Sequence, residues 1–165
     1  MVVIEPITAT HAAAFRTVRL LALRDSPGAF SGTYARESVL TDAEWNQRIE
    51  TWNGDRGIGY LAAEDGAWCG IAGALLDAQD ASTAQLLSMW VGPGHRRSGV
   101  GKALVDAIEA WARSRAVQTL RLMVTSYNPA AIDFYTRIGF TMTGRTGPYP
   151  NDPAVFEYEM AKRLE

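Results

Sequence analysis

The residues Val91-Gly92-Pro93-Gly94-His95-Arg96-Arg97-Ser98-Gly99-Val100-Gly101-Lys102 combine glycine, cations and a helix start in one short run. The run joins an apolar strand to an amphipathic helix. At such a junction unpaired N–H groups and the positive end of the helix dipole face outward, which suits an anion. Gly99 and Gly101 keep side chains from holding a phosphate off the backbone. Arg96, Arg97 and Lys102 add positive charge around it. Two phosphate-binding patterns do not fit. A P-loop requires Gly where Arg96 stands and Ser or Thr where Ala103 stands. A dinucleotide fingerprint begun at Gly99 meets Leu104 at its third glycine, and one begun at Gly92 meets Arg97. What remains is Arg-x-x-Gly-x-Gly, formed by Arg96, Gly99 and Gly101.

Other chemistry is sparsely provided for. The two histidines, His11 and His95, are far apart, and with one cysteine no metal-ligand spacing arises, so no metal is expected. Cys69 lies in an apolar strand as a small hydrophobe. No Gly-x-Ser-x-Gly elbow accompanies a serine.

The elements that must position the loop follow from periodicity. Val2 to Ile7 reads as a strand. A helix capped by Thr10 runs from His11 to about Arg24 with Phe15, Val18, Leu21 and Ala22 on one stripe. Phe30 to Leu40 reads as a loop. Thr41 and Glu44 form a capping box for a helix to about Trp52. Asp65-Gly66 turns a hairpin between Tyr60–Glu64 and Trp68–Leu76, and Ala84 to Val91 is a further strand. The helix from Gly99 to about Arg113 places Val100, Leu104, Ala107, Ile108 and Trp111 on one face. Leu120 to Val124 alternates as a strand. Asn128-Pro129 opens a helix with Ala131, Phe134, Tyr135 and Ile138 on its buried stripe, closed by Gly139. Phe140–Gly144 and Val155–Met160 are strands, separated by a proline-rich loop.

Sixteen Lys and Arg against eighteen Asp and Glu give a net charge of −2, without the basic excess of a nucleic-acid binder. The longest strongly apolar run, Ile71 to Leu76, is far short of a membrane span. Met1 to Glu5 lacks a basic region followed by an apolar stretch. The expectation is one cytoplasmic domain over residues 1–165, in the α/β (α+β) class, with a mixed sheet and helices on both faces.

The order Leu87-Ser88-Met89-Trp90-Val91, then Arg96-x-x-Gly99-x-Gly101, then Asn128-x-x-Ala131 with Tyr135-Thr136-Arg137-Ile138-Gly139-Phe140, resembles the GNAT-type (Gcn5-related) N-acetyltransferases. The resemblance is strong over Leu86 to Gly144 and loose elsewhere. It implies a mostly antiparallel sheet splayed at its centre and acetyl-coenzyme A as cosubstrate. The pantetheine arm would lie between the strands ending at Val91 and Thr125. Met89, Trp90 and Val91 would line it, and Arg96, Arg97, Ser98, Gly99, Val100, Gly101 and Lys102 would surround the pyrophosphate. Asn128, with Ala131 beside it, would meet the arm near its sulfur, and Arg137 the nucleotide phosphates. Tyr135 would hydrogen-bond or protonate the departing thiolate. A phenol near pKa 10 giving a proton to a thiolate near 8.5 is uphill by about 2 kcal/mol, which favours hydrogen-bond donation with late transfer.

The implied reaction is direct attack of a primary amine in a ternary complex. A lysine-like amine is neutral in only about one molecule per two thousand at pH 7, so its proton needs an acceptor. Glu37 and Glu157 are the candidates, with Ser88 or Ser126 as anchors for a relay water. Phe30, Tyr34 and Tyr149 are expected to wall the amine site. The alternative is an enzyme that acetylates a protein N-terminus or lysine side chain: an open groove favours such peptide or protein amines, and a closed pocket with carboxylates favours a polyamine, an amino acid or an amine antibiotic. A coenzyme A-binding sensor is a further alternative, and both monomer and homodimer fit.

Overall fold

The computed structural model describes residues 1–165. Seven strands form one sheet in the order β1-β2-β3-β4-β5-β7-β6: β1 (Val2–Pro6), β2 (Gly57–Glu64), β3 (Ala67–Leu76), β4 (Thr83–Val91), β5 (Thr119–Thr125), β6 (Thr141–Tyr149) and β7 (Asp152–Arg163). Every neighbouring pair is antiparallel except β4 and β5. The helices are α1 (Ala12–Asp25), α2 (Tyr34–Glu37), α3 (Asp42–Trp52), α4 (Val100–Ser114) and α5 (Pro129–Arg137). No helix is long and apolar enough to cross a membrane.

Local chemistry accounts for most boundaries. Asp65 (φ 50°) and Gly66 (φ 84°) take the left-handed conformations that a two-residue hairpin turn demands. Thr41 Oγ1 accepts from the Glu44 N–H at 3.2 Å while Glu44 Oε1 accepts from the Thr41 N–H at 3.0 Å, closing the capping box of α3. Asn128 Oδ1 accepts from the Ala131 N–H and caps α5, with Pro129 following at the first helical position.

The sheet separates two cores. One, under α4 and α5, contains Leu104, Ile108, Leu120, Leu122, Tyr135 and Phe140. The other, under α1 and α3, contains Phe15, Val18, Trp45, Ile49, Leu61, Ile71 and Trp90. Burying side chains of this size contributes roughly 1.5–3 kcal/mol each, so α1, α3 and α4 are held chiefly by their apolar faces.

Several expectations are corrected. The chain enters α1 through a 3₁₀ turn, Ala9–His11, where His11 Nδ1 accepts from the Thr8 N–H; the Thr10 hydroxyl meets the Thr8 hydroxyl instead of capping a helix. Leu21 is exposed, and the buried stripe of α1 takes Arg19 and Leu23 instead. The stretch Phe30 to Leu40 contains α2, capped by Thr33 Oγ1. The proline-rich loop is the end of a hairpin, because β6 continues through Pro148 to Tyr149. A proline is tolerated there because β6 is the edge strand and needs no ladder on its outer side.

Two irregularities shape the centre. β4 and β5 pair only at Thr83↔Thr119, Ala84↔Leu120 and Gln85↔Arg121, and beyond these the strands part. β4 also bulges against β3: Ile71 faces Trp90, yet Gly73 faces Leu87, so three steps on β4 match two on β3. Ser88 absorbs the extra residue at φ 58°.

Candidate active site

The gap between β4 and β5 has a defined set of backbone groups. The Gly92 N–H donates to the Cys69 carbonyl, and Trp90 lies opposite Ile71. Alternation along the strand therefore turns Gly92 and Trp90 toward β3, and the N–H and C=O of Met89 and Val91 toward the gap. Trp90 does not line the gap as expected. Its backbone belongs to β3, and its indole is buried in the α1 core with Nε1 donating to Asp25 Oδ2 at 3.0 Å.

At the end of β4 the chain turns into α4. Arg97 (φ 62°) and Gly99 (φ 90°) both adopt the left-handed conformation, which concentrates N–H groups into a concavity. The first backbone bond of the helix is Ala103 N–H to the Gly99 carbonyl, so the N–H groups of Val100, Gly101 and Lys102 lie ahead of the ladder. Gly99 has open space on its outer side, and Arg97, Ser98 and Gly99 are exposed. Gly101 is needed for a different reason. A Cβ there would stand 3.1 Å from Phe134 Cζ and 3.2 Å from Met89 Cε, so the start of α4, α5 and β4 converge on this glycine.

The cations divide by role. Arg96 is committed to the protein: Nε donates to the Val91 carbonyl at 2.9 Å, and Nη2 to Asp25 Oδ2 at 2.6 Å. Partial burial pushes the Asp25 carboxyl up, but hydrogen bonds from Trp90, Ser26 and Arg96 more than reverse this and hold it below its ordinary range. Lys102 pairs with Asp106 and Arg137 with Asp133, each one turn along its own exposed helix face. Such surface pairs are weak, and either cation is available to a phosphate. Arg97 makes no ion pair.

Tyr135 is 8% exposed and packs edge-on against Phe134 and Phe140. Burial raises its phenol well above the ordinary value, so the hydroxyl keeps its proton across the working pH range. Asn128 uses Oδ1 to cap α5 and retains its amide N–H groups for another partner.

On the opposite face, Glu37 is buried among cations. Arg19 Nε and Nη2 donate to its two oxygens at 2.9 and 3.0 Å, and Arg48 Nη1 donates to Oε1 at 2.6 Å. Desolvation pushes this carboxyl up, but the two guanidinia outweigh it and lower the pKa. A carboxylate held in this way is a poor proton acceptor, so the expectation of Glu37 as base does not fit its surroundings. Arg19 also donates from Nη1 to Ser88 Oγ at 3.3 Å and lies over the Phe30 ring, 5.1 Å from its centroid. Glu157 makes no ion pair, and burial raises its pKa. In the sheet it lies opposite Thr125, whose buried hydroxyl has no partner.

The expected amine-site walls are built differently from one another. Phe30 is buried at 6% exposure, so its ring belongs to the core and only its backbone faces outward. Its carbonyl accepts from Tyr149 Oη and from Asn151 Nδ2, which ties the loop after α1 to the β6–β7 hairpin. Tyr149 is thereby a buried strut. Tyr34 is partly exposed, under the Arg24 guanidinium. Sequence reasoning missed Arg19, Arg48 and Asp25. For Arg19 a signal existed: a charged residue on the apolar stripe of α1, one turn beyond Phe15 and before Leu23.

A model of the acetyltransferase (GNAT) family matches residues 20–140. The [ribosomal protein bS18]-alanine N-acetyltransferase of Escherichia coli K12 is 30% identical over 138 residues, covering 81% of this chain and 87% of that protein. Mycothiol acetyltransferase of Beutenbergia cavernae is 34% identical over 92 residues, covering 56% of this chain but only 31% of that protein. An acetyltransferase of the GNAT family from Streptococcus pneumoniae shares the fold over the full length of both chains, with a TM-score of 0.81 at 23% identity. The split sheet, the loop before α4 and these likenesses agree: the chain belongs to the acetyltransferase (GNAT) family.

Proposed function

We propose that this protein transfers the acetyl group of acetyl-coenzyme A directly to a primary amine. The observation that carries the reading is the continuity of the donor side. A concavity of backbone N–H groups at Arg97 to Lys102 leads into a gap edged by the backbone groups of Met89 and the N–H of Val91, with α5 alongside. These residues suit a ligand with a phosphate at one end and amides along its length. Bound there, acetyl-coenzyme A supplies a thioester; a C–N bond forms to the amine, the C–S bond breaks, the amine gives up a proton and the thiolate gains one.

The protein's part is positioning and proton control. Backbone N–H groups at the β4 bulge would meet the acyl oxygen of a bound thioester and stabilise charge that develops on it. Tyr135 offers a hydrogen bond to the sulfur, and its raised pKa makes full proton donation costlier than for an ordinary phenol. Glu157, through a water, is the better candidate to take the amine's proton. Its pKa is raised and no cation competes for it. Arg97, Lys102 and Arg137 complete the charge around the phosphates.

Calorimetric titration with acetyl-coenzyme A, with NAD and ATP as controls, tests the reading. Selective binding followed by amine-dependent thiol release is expected. Absence of binding would remove the donor-side assignment, and binding without turnover on any amine would favour a coenzyme A sensor.

A further inference from the structure

The acceptor side has a cavity of about 340 Å³ whose charge is one-sided. Three guanidinia, from Arg19, Arg36 and Arg48, face a single carboxylate, Glu37, with Leu40 as the one apolar lining residue. The chain as a whole carries a charge of −2, so this excess of cations is local. Arg19 spends Nε and Nη2 on Glu37 and Nη1 on Ser88. Arg48 spends only Nη1, on Glu37. Arg36 spends only Nη2, shared between the Ser31 carbonyl and Asn151 Oδ1. The remaining N–H groups of Arg36 and Arg48 are unengaged, and a planar guanidinium matches the two oxygens of a carboxylate.

The cavity also adjoins the place where the acyl group would lie. Its floor is Arg19, which touches Ser88, the bulge residue next to Met89 on β4. Starting from the acetyl-transfer reading above, we infer that the amine acceptor carries a carboxylate, and that Arg36 and Arg48 hold it. A diamine or polyamine would turn its second ammonium toward these guanidinia, so the same residues select against it.

Two measurements test this. Glutarate, which has a carboxylate but no amine, should bind the wild-type protein in calorimetry, and Arg36→Gln should weaken it about tenfold. Arg36 is exposed, so this variant keeps its fold. Absence of glutarate binding overturns the cavity assignment. In the second measurement, thiol release from acetyl-coenzyme A is followed with ω-amino acids, free α-amino acids and short peptides with Asp or Glu at the second position. Their carboxamides and diamines of equal length serve as controls. Amino-carboxylates should exceed their carboxamides by about tenfold in kcat/KM, with Arg36→Gln raising KM and sparing kcat. The free acids against the peptides identify which molecule carries the carboxylate. Equal or faster turnover of carboxamides or diamines overturns the inference, as does failure of every amino-carboxylate while acetyl-coenzyme A still binds. Failure of acetyl-coenzyme A to bind sinks the transfer reading instead, and the glutarate titration still decides the cavity.

Discussion

The two faces of the split sheet are built from different materials. On the side proposed for the acetyl donor the groups presented are backbone N–H and C=O, from a short loop, a helix start and two parted strands. On the side proposed for the acceptor they are long side chains that meet from separate elements: Arg19 of α1, Glu37 of α2 and Arg48 of α3. Backbone groups survive most substitutions, so the donor side depends on conformation, which only a few residue types can spoil. A side-chain network depends on identity at every member. Losing one member leaves a buried charge uncompensated, and changing several re-specifies what the site admits.

The sharpest test of this contrast is Gly99→Asp. It forces a non-glycine residue into φ 90°, at roughly 1–2 kcal/mol, and puts a negative charge in the anion concavity. Acetyl-coenzyme A binding should disappear in calorimetry while circular dichroism stays native. Arg19→Met should act on the fold instead. It strips Glu37 of its bidentate partner and should cost about 3–5 kcal/mol in urea unfolding, with the donor loop intact. Tyr135→Phe should retain acetyl-coenzyme A affinity and lower kcat by about 10²–10³, the usual loss on removing one preorganised donor. Unchanged turnover would take Tyr135 out of the mechanism. Glu157→Gln should lower kcat/KM by about tenfold and flatten the acid limb of its pH profile, because a base with a raised pKa loses function early as pH falls.

The smallest effect concerns stability in acid. Glu37 has a lowered folded-state pKa, so its contribution is complete above the ordinary carboxylate range near 4.3 and is lost as pH falls through the folded value. Urea midpoints should therefore hold steady down to about pH 5 and decline below it, and the decline should be shallower in Glu37→Gln.

The same division governs what could be read from the sequence. The turn into α4 was legible because Gly99 permits a left-handed backbone there, and the start of α5 because Pro129 fixes the first helical residue. Hydrophobic periodicity was equally informative for α4 and β5. The Arg19–Glu37–Arg48 network joins residues that periodicity cannot relate, and a loop assigned to Phe30–Leu40 hid the helical turn that brings Glu37 inward. The hairpin end at Pro148-Tyr149 was misread because Gly and Pro signal turns wherever they occur, whereas an edge strand accommodates both. The bulge was invisible because its left-handed residue is a serine, not a glycine.

That bulge acts as a change of parity in β4. Before it, the even-numbered Ala84 and Leu86 face the α4 core. After it, the odd-numbered Met89 and Val91 pack on that core, and the even-numbered Trp90 joins the α1 core. A strand that counted evenly to its end would send the Trp90 indole toward α4 and away from Asp25, which it now shares with Arg96. The bulge thus decides which half of the molecule owns the tryptophan. Deleting Ser88 would remove the extra residue and the bulge together and leave Trp90 facing α1, whereas straightening the strand with Ser88 in place would be a frameshift in space, exchanging the inward and outward faces of everything downstream to Val91.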